Sequence, residues 1–332
     1  MVELLGHPDL ADTRGEGAAS LIDDVVDGVD RRGAPMKNCS GGHVFDNPPG
    51  PRRYSLSLRS RQVRRLVPVG EAPQSLALID HGETIEDPSG ELVADRRIYV
   101  LNARSGTVSV VSVVFFDRVF DTFSVGQDLG VVADGHRGKS IYVTTHNAIL
   151  VIDGGTDRIV GTIQLGHAPW LIAVSPDGSR IYASHPKEDL ISVVDTTTPF
   201  PSVSTFAVPP GPSSLALSPD GAKLYVAHFG THAPTGDFTG PGAFSVIDTG
   251  TKHAQSVPLG DGPTAMVAGA TRAFVSNFTE NTVSVIDITT SPRVIDTIAV
   301  DRAGLLLLSP DERTLYVSTF GPDTVVVLDV SN

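Results

Sequence analysis

With 332 residues, a formal net charge of −13 and a pI near 5.1, the chain lacks the electrostatics for broad capture of nucleic acid or of an anionic membrane surface. Its one cysteine, Cys39, excludes an intrachain disulfide framework and a cysteine-built zinc site. The 33 glycines and 24 prolines, set against 40% hydrophobic residues, describe a turn-rich chain that still fills a core, which suits one large all-β domain.

The first stretch, MVELLGHPDLADTRGEG, has neither a basic n-region nor a long apolar h-region, and no stretch approaches the length of a membrane span. The expected location is therefore cytoplasmic, although a secreted chain with its leader removed would read the same. AASLIDDVVDGVD (18–30) has the pattern of one amphipathic helix inside an insertion at about 18–42. HVFDN (43–47) and YSLSL (54–58) read as strands. The arginines at 52, 53, 59, 61, 64 and 65 form a basic patch, with Asp23, Asp24, Asp27 and Asp30 as counter-charges, and are expected on a solvated or salt-bridged strand face.

From about residue 62 one module repeats: a proline-led apolar strand, an S-P-D-G turn, a strand ending near Y-V-x-x, a V-S-V-I-D strand and an outer strand closing in V-G. Tyr99, Tyr142, Tyr182, Tyr225, Phe274 and Tyr316 mark it, at spacings of 43, 40, 43, 49 and 42. That period holds four short strands with tight turns, the size of a propeller blade. TVSVID (282–287) alternates as a two-faced strand does, whereas SLALSPDG (214–221) joins an apolar run to an Asp-Gly turn. The recurrent Asp153, Asp195, Asp248, Asp287 and Asp329 each end a V-x-V-x-D strand and are explained by turn chemistry.

The copies SPDGSRIYASH, SPDGAKLYVAH and SPDERTLYVST resemble the YVTN-family β-propeller repeat proteins, named for the strand written here as Tyr99-Val100-Leu101-Asn102 and Tyr142-Val143-Thr144-Thr145. The resemblance implies a single β-propeller domain of four-stranded blades over 1–332, with insertions at about 18–42, 81–97 and 231–242. Seven blades are expected if 43–47 and 54–58 belong to the first, and six if they do not. VELLGHPDL (2–10) is similar to IQLGHAPWL (163–171), so the N-terminus is expected to supply the outer strand of the last blade. The family includes enzymes, binders and surface proteins, so its fold is neutral about function.

Histidines stand where the repeat places asparagine. His185 and His228 share the position of Asn102 and Asn277, at a rim where equivalent side chains of consecutive blades are expected to approach a common opening. Imidazole binds borderline divalent metals and moves protons near neutral pH. His185, His228 and His167 are therefore the candidate acid/base residues. His146 and His232 are candidate ligands of a divalent metal with the first two, and Glu71 or Asp261 would supply oxygen. The next repeat position reads Phe229, Phe278 and Phe320, and with Trp170, Glu71, Asn102 and Asn277 it would line a small-molecule pocket. The expected function is binding of a small organic molecule at this face, with lyase, isomerase or cyclase chemistry by proton transfer. The competing reading is a non-catalytic propeller that docks a protein or polymer, and the same residues also fit plain turn histidines and channel-plugging rings.

Overall fold

The computed structural model describes residues 56–57, 62–63 and 67–331, apart from 88–89, 114–118, 136–138, 199, 233–237 and 322–323. The helix expected at 18–30, the strands expected at 2–10 and 43–47, most of the arginine patch, Cys39, His7, His43 and His136 lie outside these residues. Of the 54–58 strand, Leu56–Ser57 is described, paired antiparallel with Gln62–Val63. The chain divides into two compact units, one ending at Pro169 and the other starting at Trp170.

The first unit holds two four-stranded antiparallel meanders. The first sheet is Pro73–Glu86, Leu92–Asn102, Thr107–Ser112 and Val119–Ser124, and the second is Val132–Asp134, Ser140–Thr144, Ala148–Asp153 and Arg158–Gln164. The 81–97 insertion lengthens the first hairpin, with a register shift between Asp80 and Thr84. In the second unit the third sheet is Ile172–Val174, Arg180–His185, Leu190–Asp195 and Ser202–Ala207, and the fourth is Pro212–Leu217, Lys223–His228, Pro241–Asp248 and Ala254–Asp261. The fifth sheet is Pro263–Ala268, Arg272–Asn277, Thr282–Asp287 and Arg293–Ala299. The sixth has three described strands, Ala303–Leu308, Thr314–Thr319 and Val325–Asp329. The 231–242 insertion adds a two-residue pair, Thr231–His232 with Phe238–Thr239.

Local chemistry explains why each module folds alike. In the two S-P-D-G turns and in the S-P-D-E turn at 309–312, Ser175, Ser218 and Ser309 each donate a hydroxyl bond of 2.6 Å to the aspartate two residues on. The same serine oxygens accept the amides of Arg180, Lys223 and Thr314, which closes the hairpin. At the other end of each module, Asp195, Asp248 and Asp287 accept the amides of Thr197, Thr251 and Thr289, which confirms their reading as turn residues. The Thr289 hydroxyl and amide, with Arg293, hold the Asp287 carboxyl down at about 2.

The inner strands are buried and the outer strands are exposed on most of their length. Between the third and fourth sheets, Ala173, Tyr182, Ile191 and Val193 pack with Leu215, Leu224, Val226 and Ile247. Between the fourth and fifth, Tyr225, Phe244 and Val246 pack with Met266, Ala273 and Val275. Each large apolar side chain buried this way contributes roughly 1.5–3 kcal/mol. These layers fix the ends of the second strands, where the candidate residues lie.

Candidate functional site

In the first, third, fourth and fifth sheets the second strand ends on Asn102, His185, His228 and Asn277, and the side chain there turns inward to its own sheet. Asn102 Nδ2 donates to Ser109 Oγ at 3.0 Å, and Asn277 Nδ2 donates to Ser284 Oγ at 2.8 Å. His185 Nε2 and Ser192 Oγ share a bond of 2.8 Å, as do His228 Nε2 and Ser245 Oγ. All four serines occupy one place in the third strand, opposite the residue after the marker tyrosine or phenylalanine. The histidines therefore do the work of asparagine, reaching across to a serine.

Sheets lacking that serine lack the long polar side chain as well. In the second sheet the place is Leu150, and in the sixth it is Val326. There the repeat position is threonine: the Thr145 hydroxyl donates to the Ala148 carbonyl and the Thr319 hydroxyl to the Thr324 carbonyl, both at the near end of the hairpin. A short hydroxyl reaches only the near carbonyl, so the residue pair changes as a unit.

These bonds correct the expectation of open imidazoles. His185 is 0% exposed and His228 is 1% exposed. Burial lowers the pKa of His228 to about 4, against a weak opposing pull from the Pro209 carbonyl, and the ring is neutral at pH 7. Ser245 Oγ continues to Ser256 Oγ at 2.8 Å, while His228 Nδ1 makes no hydrogen bond of normal geometry.

The other candidates separate by unit. Glu71, Asn102, His146 and His167 belong to the first unit, where Glu71 and His146 are exposed and His167 is half-buried. Asp261 is exposed at the end of an outer strand, and His232 lies in the two-residue pair with Phe238. Among the described residues, no three of histidine, cysteine, aspartate and glutamate come together as a metal site would require.

The second unit does gather the aromatic residues, all half-buried. Trp170 meets Phe229 edge to face at 6.1 Å between ring centroids, and Phe278 meets Phe320 in the same way at 5.6 Å. Their backbones are pinned: the amides of Phe229, Phe278 and Phe320 donate to the carbonyls of Gly211, Gly262 and Arg302. Those three residues precede the first strands with φ of 69°, 73° and 45°, a conformation glycine adopts without strain. Gly304 leaves room for the Phe320 ring, which a Cβ at that position would strike.

Sequence reasoning did not reveal where the unsatisfied polar atoms fall. Among the described residues, the buried side-chain atoms without a hydrogen bond are Gln74 Oε1, Asn102 Oδ1, Ser213 Oγ, His228 Nδ1 and Asn277 Oδ1. They occupy two repeat positions: the end of the second strand, and the bulged residue after the proline that opens the first. In the second unit, Pro212 pairs with His228 and Pro263 with Asn277, so His228 and Asn277 end strands that lead directly into Phe229 and Phe278, and Ser213 lies beside His228 at the start of the paired strand.

A different cluster was invisible in the sequence because its members lie far apart. In the first unit Arg97 bonds Asp95 at 2.8 Å and Asp157 at 3.0 Å, and Tyr99 donates to Asp157 at 2.6 Å. His81 Nε2 lies 3.4 Å from the Tyr99 hydroxyl, and burial, then the Arg97 charge, lowers its pKa. These groups satisfy one another and tie the first sheet to a turn of the second.

No protein-family model and no curated relative matches the chain. Solved structures do. A chain of hydrazine synthase from Kuenenia stuttgartiensis superposes with a TM-score of 0.65 at 19% identity, over 89% of this chain and 99% of that one. The β-propeller domain of Cps50 (Swd1) from Myceliophteria thermophila gives 0.61 at 11% identity, over 80% and 86%. A functionally unknown protein from Desulfotomaculum acetoxidans gives 0.62 at 13%, over 83% and 88%. The chain has the all-β propeller fold, with five four-stranded sheets and a sixth of three strands described.

Proposed function

We propose that this propeller binds a small organic molecule at the end of the second unit where Trp170 faces Phe229 and Phe278 faces Phe320. The observation that carries the reading is that Ser213 Oγ, His228 Nδ1 and Asn277 Oδ1 are buried without a hydrogen bond of normal geometry where the first and second strands pair beside these rings. A buried polar atom left unpaired costs roughly 1–3 kcal/mol. His228 and Asn277 hold the same place in adjacent sheets, and with Ser213 beside His228 they favour a bound molecule, with ordered water, as the missing partner. Aromatic edges beside a few convergent polar groups are the usual make-up of a small-molecule site.

Binding is favoured over catalysis because both imbedded imidazoles are engaged, His185 with Ser192 and His228 with Ser245. A thermal-shift screen of small organic compounds tests this: a ligand at about 100 times its Kd stabilises the fold by about 2.7 kcal/mol. The shift should vanish in Phe278→Ala/Phe320→Ala. Shifts that persist in this variant, or stabilisation only by a macromolecular partner, would reject the reading.

One observation supports a second reading, a lyase-, isomerase- or cyclase-type enzyme. His228 Nε2 is held by Ser245 while Nδ1, near the Pro209 carbonyl, makes no hydrogen bond of normal geometry, which leaves that nitrogen for a substrate proton. In that case His228→Asn, which keeps a polar partner for Ser245, retains ligand binding and loses on the order of 10²- to 10⁴-fold in turnover. Equal turnover in the variant would eliminate it.

A further inference from the structure

The second and fourth sheets carry the same turn between their third and fourth strands, and the two turns end on residues of opposite charge. Asp153-Gly154-Gly155-Thr156-Asp157 belongs to the second sheet and Asp248-Thr249-Gly250-Thr251-Lys252 to the fourth. In each, the carboxylate of the first aspartate accepts the amide and the hydroxyl of the threonine, and its carbonyl accepts the amide of the last residue, at 2.8 and 2.9 Å. The last residues, Asp157 and Lys252, have φ of 55° and 64°. One backbone geometry therefore presents a carboxylate in the first unit and an ammonium in the second.

Both side chains reach the marker tyrosine of the preceding sheet. Asp157 accepts the Tyr99 hydroxyl at 2.6 Å and Arg97 at 3.0 Å, and Asp95 holds the same guanidinium at 2.8 Å. Lys252 Nζ lies 5.6 Å from the Tyr182 ring centroid and 5.5 Å from that of Phe206. Arg180 stands two residues before Tyr182, as Arg97 does before Tyr99, but the place of Asp95 is taken by Gly178. The arginine keeps its position while both of its carboxylates are gone. Among the described residues neither Arg180 nor Lys252 forms an ion pair. Asp195 and Asp248 act on the two cations from a distance, and their carboxylates are engaged in turns, with Thr197 and with Gly250 and Thr251. Burial, then the Arg180 charge, lowers the pKa of the half-buried Lys252. Its ammonium donates to the Thr249 carbonyl and keeps two further donors, beside the exposed guanidinium of Arg180.

We propose that Arg180 and Lys252 hold a small anion of the carboxylate or phosphate class beside Tyr182, in the role that the Asp157 carboxylate fills beside Tyr99. A guanidinium fork with an ammonium is the donor set that recognises such oxygens. The site lies at the opposite end of the strand Arg180–His185 from His185, so it is separate from the small-molecule site proposed above. The net charge of −13 repels anions at long range, so capture depends on these two side chains.

Thermal unfolding in phosphate and in acetate, each compared with chloride at the same ionic strength, tests the site. The proposal expects a saturable rise in Tm with at least one of the two anions; a rise in phosphate alone marks a phosphate-type ligand, and a rise in acetate a carboxylate. Arg180→Gln and Lys252→Gln should each weaken the apparent affinity by about tenfold, the loss of one charge-assisted bond, and Lys252→Arg should retain it. Arg293→Gln, which removes an exposed arginine of the fifth sheet, and Phe278→Ala/Phe320→Ala should respond as wild type does, which keeps this site distinct from the aromatic one. No saturable difference from chloride, or a response unchanged in both glutamine variants, would overturn the proposal. Should Lys252→Gln unfold, acylation of wild type by a succinimidyl ester, mapped by peptide mass, decides. The effective anion should slow modification of Lys252 but not of the exposed Lys187, and equal modification of Lys252 with and without it contradicts the proposal.

Discussion

Ser192→Ala isolates the cross-strand bond that recurs through the fold. The change removes the 2.8 Å bond to His185 Nε2 inside a site where both residues are 0% exposed. A buried polar group that loses its partner costs about 1–3 kcal/mol, so a loss of about 2 kcal/mol is expected. Restoring the pairing seen in the sixth sheet, where Thr319 accompanies Val326, should recover much of it. His185→Thr with Ser192→Val is thus expected to cost at least about 1 kcal/mol less than the two single changes added together. His185→Asn alone, which copies Asn277, should cost less than Ser192→Ala. Urea unfolding followed by Trp170 fluorescence reads all of these, because Trp170 is the sole tryptophan and its amide donates to Ser184 in the affected sheet. Additive single and double changes, with coupling below about 0.3 kcal/mol, would refute the idea that the two residues form one unit.

Acid should expose the burial of His228. Its pKa is depressed to about 4 in the fold, so its contribution is complete above about 6.5, the ordinary histidine value, and is lost as pH falls from there to about 4. The loss is on the order of 3 kcal/mol, and His228→Gln should flatten the stability profile in that window. Parallel profiles for wild type and variant would contradict it. Arg97→Met leaves Asp95 and Asp157, which are 3% and 6% exposed, without their cation, so unfolding should cost about 3–5 kcal/mol less than in wild type. A melting curve within error of wild type would show that the three groups do not depend on one another. Asp287→Ala should destabilise by about 1 kcal/mol through loss of the turn bonds to Thr289, as measured by urea titration, and no change would place the turn's stability elsewhere.

The fold was legible because its signals are local. Y-V-x-x strands, S-P-D-G turns and terminal aspartates each act within a few residues, and the structure puts them where their spacing implies. The register of His185 and His228 with Asn277 was legible too, but their serine partner was not, because it lies across the hairpin. Ser192 and Ser284 stand seven residues beyond His185 and Asn277, whereas the insertion at 231–242 pushes Ser245 away from His228. Following one repeat position at a time conceals a pair that changes together across strands. The aromatic contacts and the Arg97–Asp157 link depend on packing between residues up to 60 apart, which periodicity does not encode.

Ligand-observed saturation-transfer NMR over a small-molecule library tests the central claim most directly, run on wild type and on Phe229→Ala/Phe320→Ala. The account predicts compounds whose signal depends on both aromatic pairs and whose binding is weakened at least tenfold in the variant, with its circular dichroism unchanged. Compounds that bind both proteins equally would place the binding surface elsewhere and contradict the account.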